Sequence, residues 1–239
     1  MKSLRWHFVK AVLPMAIALS LWSCQKPSRE TKTVVFFENK KADWIQDHQS
    51  LPTSDSLFYL EDPAPLFRKN FILKELPQKA TLYITAAGYY KSTINAIALK
   101  NNILDPSWTD YSKRIYYKEY DITPQLNLGK NCLGVTLGNG FYNPLPLKMW
   151  GRINLRERLS VGKPRFIAKL IIDYPNGKTE EIVSDNTWKY NQSPTVKNSV
   201  YLGTQYDANK EIKNWNHADF DDSHWKNAML ADSPGGKLQ

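Results

Sequence analysis

The stretch ATLYITAAGYYKSTINAIALKNNILDPSWTDYSKRIYYKEYDITPQLNLGKNCLGVTLGNGFY, residues 80–142, decides the fold. Leu82, Ile84 and Ala86 alternate with Tyr83, Thr85 and Ala87, and the same period of two returns at Leu133, Val135 and Leu137. Period two marks strands with one face buried. Polar turns separate these strands, so the stretch predicts a series of short antiparallel strands.

Further strands are expected on either side of it. They are Val34 to Phe37, Pro65 to Leu73 as an edge or near-edge strand, Phe166 to Tyr174 and Thr179 to Val183. The last two flank Asn176-Gly177, a strong hairpin-turn signal. Within the central stretch, strands are expected over Thr81 to Ala87, Tyr89 to Ile94, Ile97 to Leu99 and Arg114 to Tyr120, with a tight turn at Asn95-Ala96. Asn143 to Pro164 loses periodicity and gains Pro, Gly and Arg, which reads as a long loop over the sheets. No amphipathic helix of three turns follows Thr33. The fold expected is all-β, an antiparallel β-sandwich of jelly-roll type.

The chain opens differently. Lys2, Arg5 and Lys10 precede an apolar run from Ala11 to Leu21, which is too short for the roughly 20 residues of a membrane span. Leu21-Trp22-Ser23-Cys24 then reads as a bacterial lipobox, with Cys24 the lipid-carrying first residue of the mature protein. Residues 1–24 are thus a lipoprotein signal, 25–33 a polar tether, 34–232 the sandwich and 233–239 the start of a linker to a further domain. The expected location is an exported, membrane-anchored lipoprotein, in the periplasm or on the outer-membrane surface.

Cys132 is the one cysteine left after Cys24, so no intrachain disulfide is available. The net charge is +9, but part of it lies in the signal and the rest is spread among Asp and Glu. No basic, aromatic-interleaved face emerges, which argues against nucleic acid as a partner.

Several motifs together resemble the N-terminal β-sandwich region of bacterial α-L-rhamnosidases, the inverting glycoside hydrolases that remove terminal rhamnose. They are Ala64-Pro65-Leu66-Phe67-Arg68-Lys69, Gly88-Tyr89-Tyr90, Trp108-Thr109-Asp110-Tyr111, Gly138-Asn139-Gly140-Phe141-Tyr142, Tyr206-Asp207-Ala208 and Asp221-Asp222-Ser223 with Trp225. Some of these motifs also occur in the galactose-binding-like jelly rolls of β-galactosidase-like enzymes. The Trp108 and Gly138 motifs with Tyr206-Asp207-Ala208 point more narrowly to the rhamnosidase group.

Three residues depart from the family pattern. Ala96 stands where Gly is usual, which predicts a different turn type. Thr204 and Asn209 replace a usual Glu and Arg, which implies a lost ion pair. Family members continue into an (α/α)6 barrel that carries the general acid and base, and no stretch here has that helical character.

Inverting hydrolysis needs two carboxyls about 6.5 to 9.5 Å apart, one with a raised pKa. The candidates are Asp207, Asp219, Asp221, Asp222, Glu180 and Glu181; the two Glu adjoin a hairpin turn and read as solvated, and Asp221 and Asp222 read as turn caps. His217 and His224 lack metal-ligand spacing. No catalytic residue is therefore assigned.

A sugar site needs an aromatic face and a few planar polar groups. Trp108, Asp110 and Tyr111 in one loop, and Asn139, Phe141 and Tyr142 in another, have that composition; core-capping aromatics are the alternative. The resemblance also implies calcium as a possible cofactor, because some rhamnosidase sandwich modules bind rhamnose through it. Asp110 and Asn139 would supply hard oxygen ligands.

The expected function is a non-catalytic module, carbohydrate-recognising or barrel-supporting, of a lipid-anchored α-L-rhamnosidase. Its partners would be a rhamnose-containing glycan, the membrane and the catalytic barrel. A purely structural domain is the main alternative; a glycosidase active on its own is disfavoured.

Overall fold

The computed structural model describes residues 42–99, 103–149 and 151–239. The signal, Cys24, the tether and the Val34 to Phe37 strand lie outside the described residues.

The strands in chain order begin with β1 (Trp44–Gln46), β2 (Pro65–Leu73), β3 (Lys79–Ala87), β4 (Tyr89–Ile94), β5 (Ile97–Ala98) and β6 (Arg114–Ile115). Next come β7 (Lys118–Asp121), β8 (Gly129–Gly138), β9 (Lys148–Met149), β10 (Ile153–Asn154), β11 (Arg165–Asp173) and β12 (Thr179–Val183). The series ends with β13 (Lys189–Gln192), β14 (Thr195–Ser199), β15 (Gly203–Tyr206), β16 (Lys226–Asn227), β17 (Met229–Ala231) and β18 (Lys237–Leu238). The helical elements among the described residues are short 3-10 turns, including Asp55–Tyr59 and Ala208–Lys210.

Two six-stranded antiparallel sheets face each other. One runs β17-β1-β11-β3-β7, with β12 added along β11, and the other runs β16-β13-β2-β8-β4-β5. The long pairs set the frame: β3 and β11 pair from Lys79↔Asp173 to Ala87↔Arg165, and β2 and β8 from Leu66↔Thr136 to Leu73↔Gly129. Leu82, Ile84 and Ala86 of β3 meet Leu133, Val135 and Leu137 of β8 in the core between the sheets, as the alternation predicts. Phe166 packs edge-on against both Phe67, 5.1 Å between centroids, and Trp188, 5.3 Å. Each fully buried aliphatic of this core contributes about 2 kcal/mol by leaving water.

The outer face of β3 departs from the half-buried reading. Thr85 and Ala87 are also buried, because a second apolar cluster of Trp44, Tyr111, Ile115, Tyr142 and Ile167 covers that end of the sheet. The 114–120 region is two strands rather than one. Arg114–Ile115 leaves the sheet to pair in parallel with Lys237–Leu238, while Lys118–Asp121 pairs with β3. The Tyr116 carbonyl between them accepts from Thr85 Oγ1 at 2.6 Å. Residues 233–239, read as the start of a linker, are fastened to the domain here: Gly236 N–H donates to Tyr111 O and Gln239 N–H to Ile115 O, both at 2.9 Å.

β2 is central rather than near an edge, since β13 and β8 flank it. Its polar Arg68 is fully buried under the non-strand segment 214–225. Its guanidinium donates to the carbonyls of His217 (2.8 Å) and Phe220 (3.2 Å), to Asn70 Oδ1 (2.9 Å) and to the Asp222 carboxylate. Asp222 is therefore the partner of a buried cation, whereas Asp221 caps its turn by accepting from Ser223 N–H at 2.9 Å. Glu181 is also not simply solvated, being 3.3 Å from the buried Lys169 ammonium. The 143–164 loop holds a small β9-β10 hairpin and a 3-10 turn, Leu155–Glu157.

Candidate functional site

Two loops bring the predicted aromatics to one end of the sandwich. The β3-to-β4 corner turns at Gly88 (φ 115°), and the loop after β8 turns at Gly140 (φ 52°). Their backbones touch: a Cβ on Gly88 would lie 2.4 Å from Gly138 O, and one on Gly140 3.0 Å from the Gly88 carbonyl carbon. That close approach is why both motifs carry glycine, and it fixes where Tyr89 and Phe141 emerge.

Phe141 is the hub of an aromatic cluster at the surface. Its centroid lies 5.5 Å from Trp108, 6.1 Å from Tyr201 and 6.5 Å from Tyr89. Trp108 is 48% exposed and Tyr201 45%. Tyr201, at the tip of the β14-β15 hairpin, was not among the residues expected from sequence. The signal available was Val200-Tyr201-Leu202, three apolar residues in a turn, all exposed.

The remaining candidates serve the structure. Tyr111 and Tyr142 are buried and stack edge-on at 5.1 Å within the second cluster. Burial pushes the Tyr111 hydroxyl up to about 12, and its hydroxyl points at Gly88 O, 3.5 Å away. Burial also raises Tyr142, against the opposing pull of Arg165, whose guanidinium lies 5.9 Å from the ring. Asp110 is exposed, and its Oδ1 accepts from the Ser112 hydroxyl (2.6 Å) and N–H (3.1 Å), which hold its carboxyl below the ordinary carboxylate range. Asn139 donates its N–H to Asn198 Oδ1 (2.6 Å) and its Nδ2 to Asn198 O (3.1 Å), while its Oδ1 accepts from Asn143 (2.8 Å). Asp110 and Asn139 thus have separate local partners and do not fit a shared calcium site. Among the described residues, no three His, Cys, Asp or Glu side chains gather into a metal-ligand group.

A groove of about 140 Å³ lies on the other side of the hairpin tip. Phe58, Tyr59 and Leu202 give it apolar walls, and Asp62, Asn198 and Gln205 its polar ones. Tyr201 therefore faces the aromatic cluster while its neighbour Leu202 faces the groove.

The carboxylates considered for hydrolysis are engaged elsewhere. Asp219 pairs with Lys130 at 2.8 Å, which lowers its pKa, and the Ser223 N–H lowers that of Asp221. Asp207 accepts from both Asn209 N–H and Asn209 Nδ2 at 3.0 Å, so Asn209 supplies hydrogen bonds where the usual Arg is missing. Glu180 accepts from the Tyr174 hydroxyl at 3.0 Å.

The model of the alpha-L-rhamnosidase N-terminal domain matches residues 75–239. The chain belongs to this family. An alpha-L-rhamnosidase of Formosa agariphila is 39% identical over 163 residues, 68% of this chain and 17% of that protein. The solved alpha-L-rhamnosidase of Dictyoglumus thermophilum superposes with a TM-score of 0.70 at 40% identity, covering 84% of this chain and 22% of that one. The alpha-L-rhamnosidase of Streptomyces avermitilis, solved in complex with L-rhamnose, gives 0.68 at 30% identity, covering 74% of this chain and 17% of that one. The chain thus spans about a fifth of the length of these relatives. The match to the rhamnosidase N-terminal domain begins after β2, although β1 and β2 are integral to the two sheets.

Proposed function

We propose that this chain is the non-catalytic N-terminal module of a lipid-anchored α-L-rhamnosidase, and that it recognises a rhamnose-containing glycan through the exposed cluster around Phe141. The observation carrying this reading is the half-exposed Trp108 indole, braced on Phe141 beside Tyr201. A half-exposed indole held against a neighbouring ring is suited to the apolar face of a pyranose. The non-catalytic part is supported by the engagement of the carboxylates considered for hydrolysis, Asp222 with Arg68, Asp219 with Lys130, Asp207 with Asn209 and Glu180 with Tyr174.

Calorimetric titration of L-rhamnose into the purified chain tests the recognition. A saturable heat is expected, with affinity falling about tenfold or more in Trp108→Ala, a loss of ~1.4 kcal/mol. No heat, or an unchanged affinity in that variant, contradicts it. Release of rhamnose from a chromogenic rhamnoside by this chain alone would contradict the non-catalytic assignment. The anchor rests on the basic, apolar and Leu21-Trp22-Ser23-Cys24 order. Labelled palmitate is expected on Cys24 and not in Cys24→Ser.

A second reading is favoured by the apolar rim of the groove, where Leu60 is 60% exposed and Leu202 63%. Those side chains would pack against the catalytic barrel, making the module a support.

A further inference from the structure

Three loops meet around one buried ammonium. They are the exit of β1, carrying Asp47 and Gln49, the approach to β2, carrying Asp62, and the approach to β11, carrying Lys163. Lys163 is 7% exposed. Its Nζ lies 3.2 Å from Gln49 Oε1, 3.2 Å from Asp62 Oδ1 and 3.7 Å from Asp47 Oδ1. An ammonium has three donors, and here three side-chain oxygens from two other loops surround it.

The cage holds more negative charge than its occupant neutralises. Two carboxylates face one ammonium, and the Asp47 side chain has no exposed surface. Its Oδ1 also accepts from Gln49 N–H at 3.3 Å, but its Oδ2 is buried without a hydrogen-bond partner. A set of carboxylate and carboxamide oxygens is the donor chemistry that hard cations select.

We propose that Asp47, Gln49 and Asp62 form a cation site whose resident cation is the Lys163 ammonium, and that the site takes calcium once that ammonium is removed. Two bidentate carboxylates and one amide oxygen supply up to about five ligands. Water completes the six to eight that calcium takes, entering on the Asp62 side, where 31% of that side chain is exposed. Asp47 Oδ2, unused by the ammonium, gains a partner in a bidentate metal carboxylate. The clasp borders the recognition end, because Asp62 and Asn139 line both the groove and a smaller crevice containing Lys163. In the native chain these loops are accordingly held without calcium. This inference stands apart from the sugar reading and survives its failure.

Thermal unfolding of the chain in millimolar CaCl2 and in EDTA tests it. The native chain melts at the same temperature in both. Lys163→Ala melts lower than the native chain in EDTA and recovers about 5 °C or more in calcium, the shift expected from a ligand well above its Kd. Asp47→Asn combined with Lys163→Ala loses that response. If Lys163→Ala does not fold in EDTA, refolding on addition of calcium supports the site, and failure to fold in either buffer overturns it. A calcium response equal in the native chain and in Lys163→Ala, or absent from both, also overturns it.

Discussion

Asn95 and Ala96 show how much a single backbone position stores. Both have positive φ, 50° and 66°, so the β4-β5 hairpin keeps the turn that its usual Gly would favour, although Ala was expected to change the turn type. Asn95 enforces it. Its Nδ2 donates to Gln125 O and Asn131 Oδ1 at 2.8 Å, and its Oδ1 accepts from Cys132 N–H at 2.9 Å. An L-residue at that angle costs roughly 1–2 kcal/mol, part of which glycine gives back as unfolded-state entropy. Ala96→Gly is expected to stabilise the chain by about 1 kcal/mol, read as a rise of about 2–4 °C in Tm. Arg68 is the opposite case, since its contacts join segments 150 or so residues apart and make no periodic pattern. Arg68→Lys removes the planar fork that reaches two carbonyls and Asp222 at once. A loss of about 3 kcal/mol in urea unfolding is expected.

At the scale of elements, β3, β8 and the β11-β12 hairpin were legible because their alternation or turn chemistry is local. The splitting of 114–120 was not, because β6 pairs with residues 237–238 far along the chain. Tyr111 and Trp108 have similar composition in sequence. Only the arrival of Tyr142 beside one and Phe141 beside the other separates a core residue from a surface one. The Gly88 and Gly140 corners position both pairs. Gly88→Ala puts a Cβ against Gly138 O at a φ of 115°, and about 3 kcal/mol or more of destabilisation is expected, with loss of near-UV circular dichroism from the aromatic cluster.

For the whole molecule, acid sensitivity follows from carboxylates held below their ordinary values. The Ser112 hydroxyl lowers Asp110, the Thr123 hydroxyl lowers Asp121, Lys130 lowers Asp219 and the Ser223 N–H lowers Asp221. Each folded pKa lies below the unfolded one, so this stability is present above about pH 4 and is lost as pH falls through the folded values. Asp47 is raised, so its contribution has the opposite sign, present at low pH and lost as pH rises through its folded value. Four lowered groups against one raised predict a Tm that falls below about pH 4, with a shallower fall in Asp221→Asn.

The central claim is that the exposed face around Phe141 recognises carbohydrate. Its most direct test is a residue-resolved NMR titration of the chain with L-rhamnose. Saturable shift changes are predicted at Trp108, Phe141, Tyr201 and Tyr89, with Tyr111 and Tyr142 changing little. Changes confined to Tyr59, Leu202 and Gln205 in the groove, or no changes at all, would contradict it.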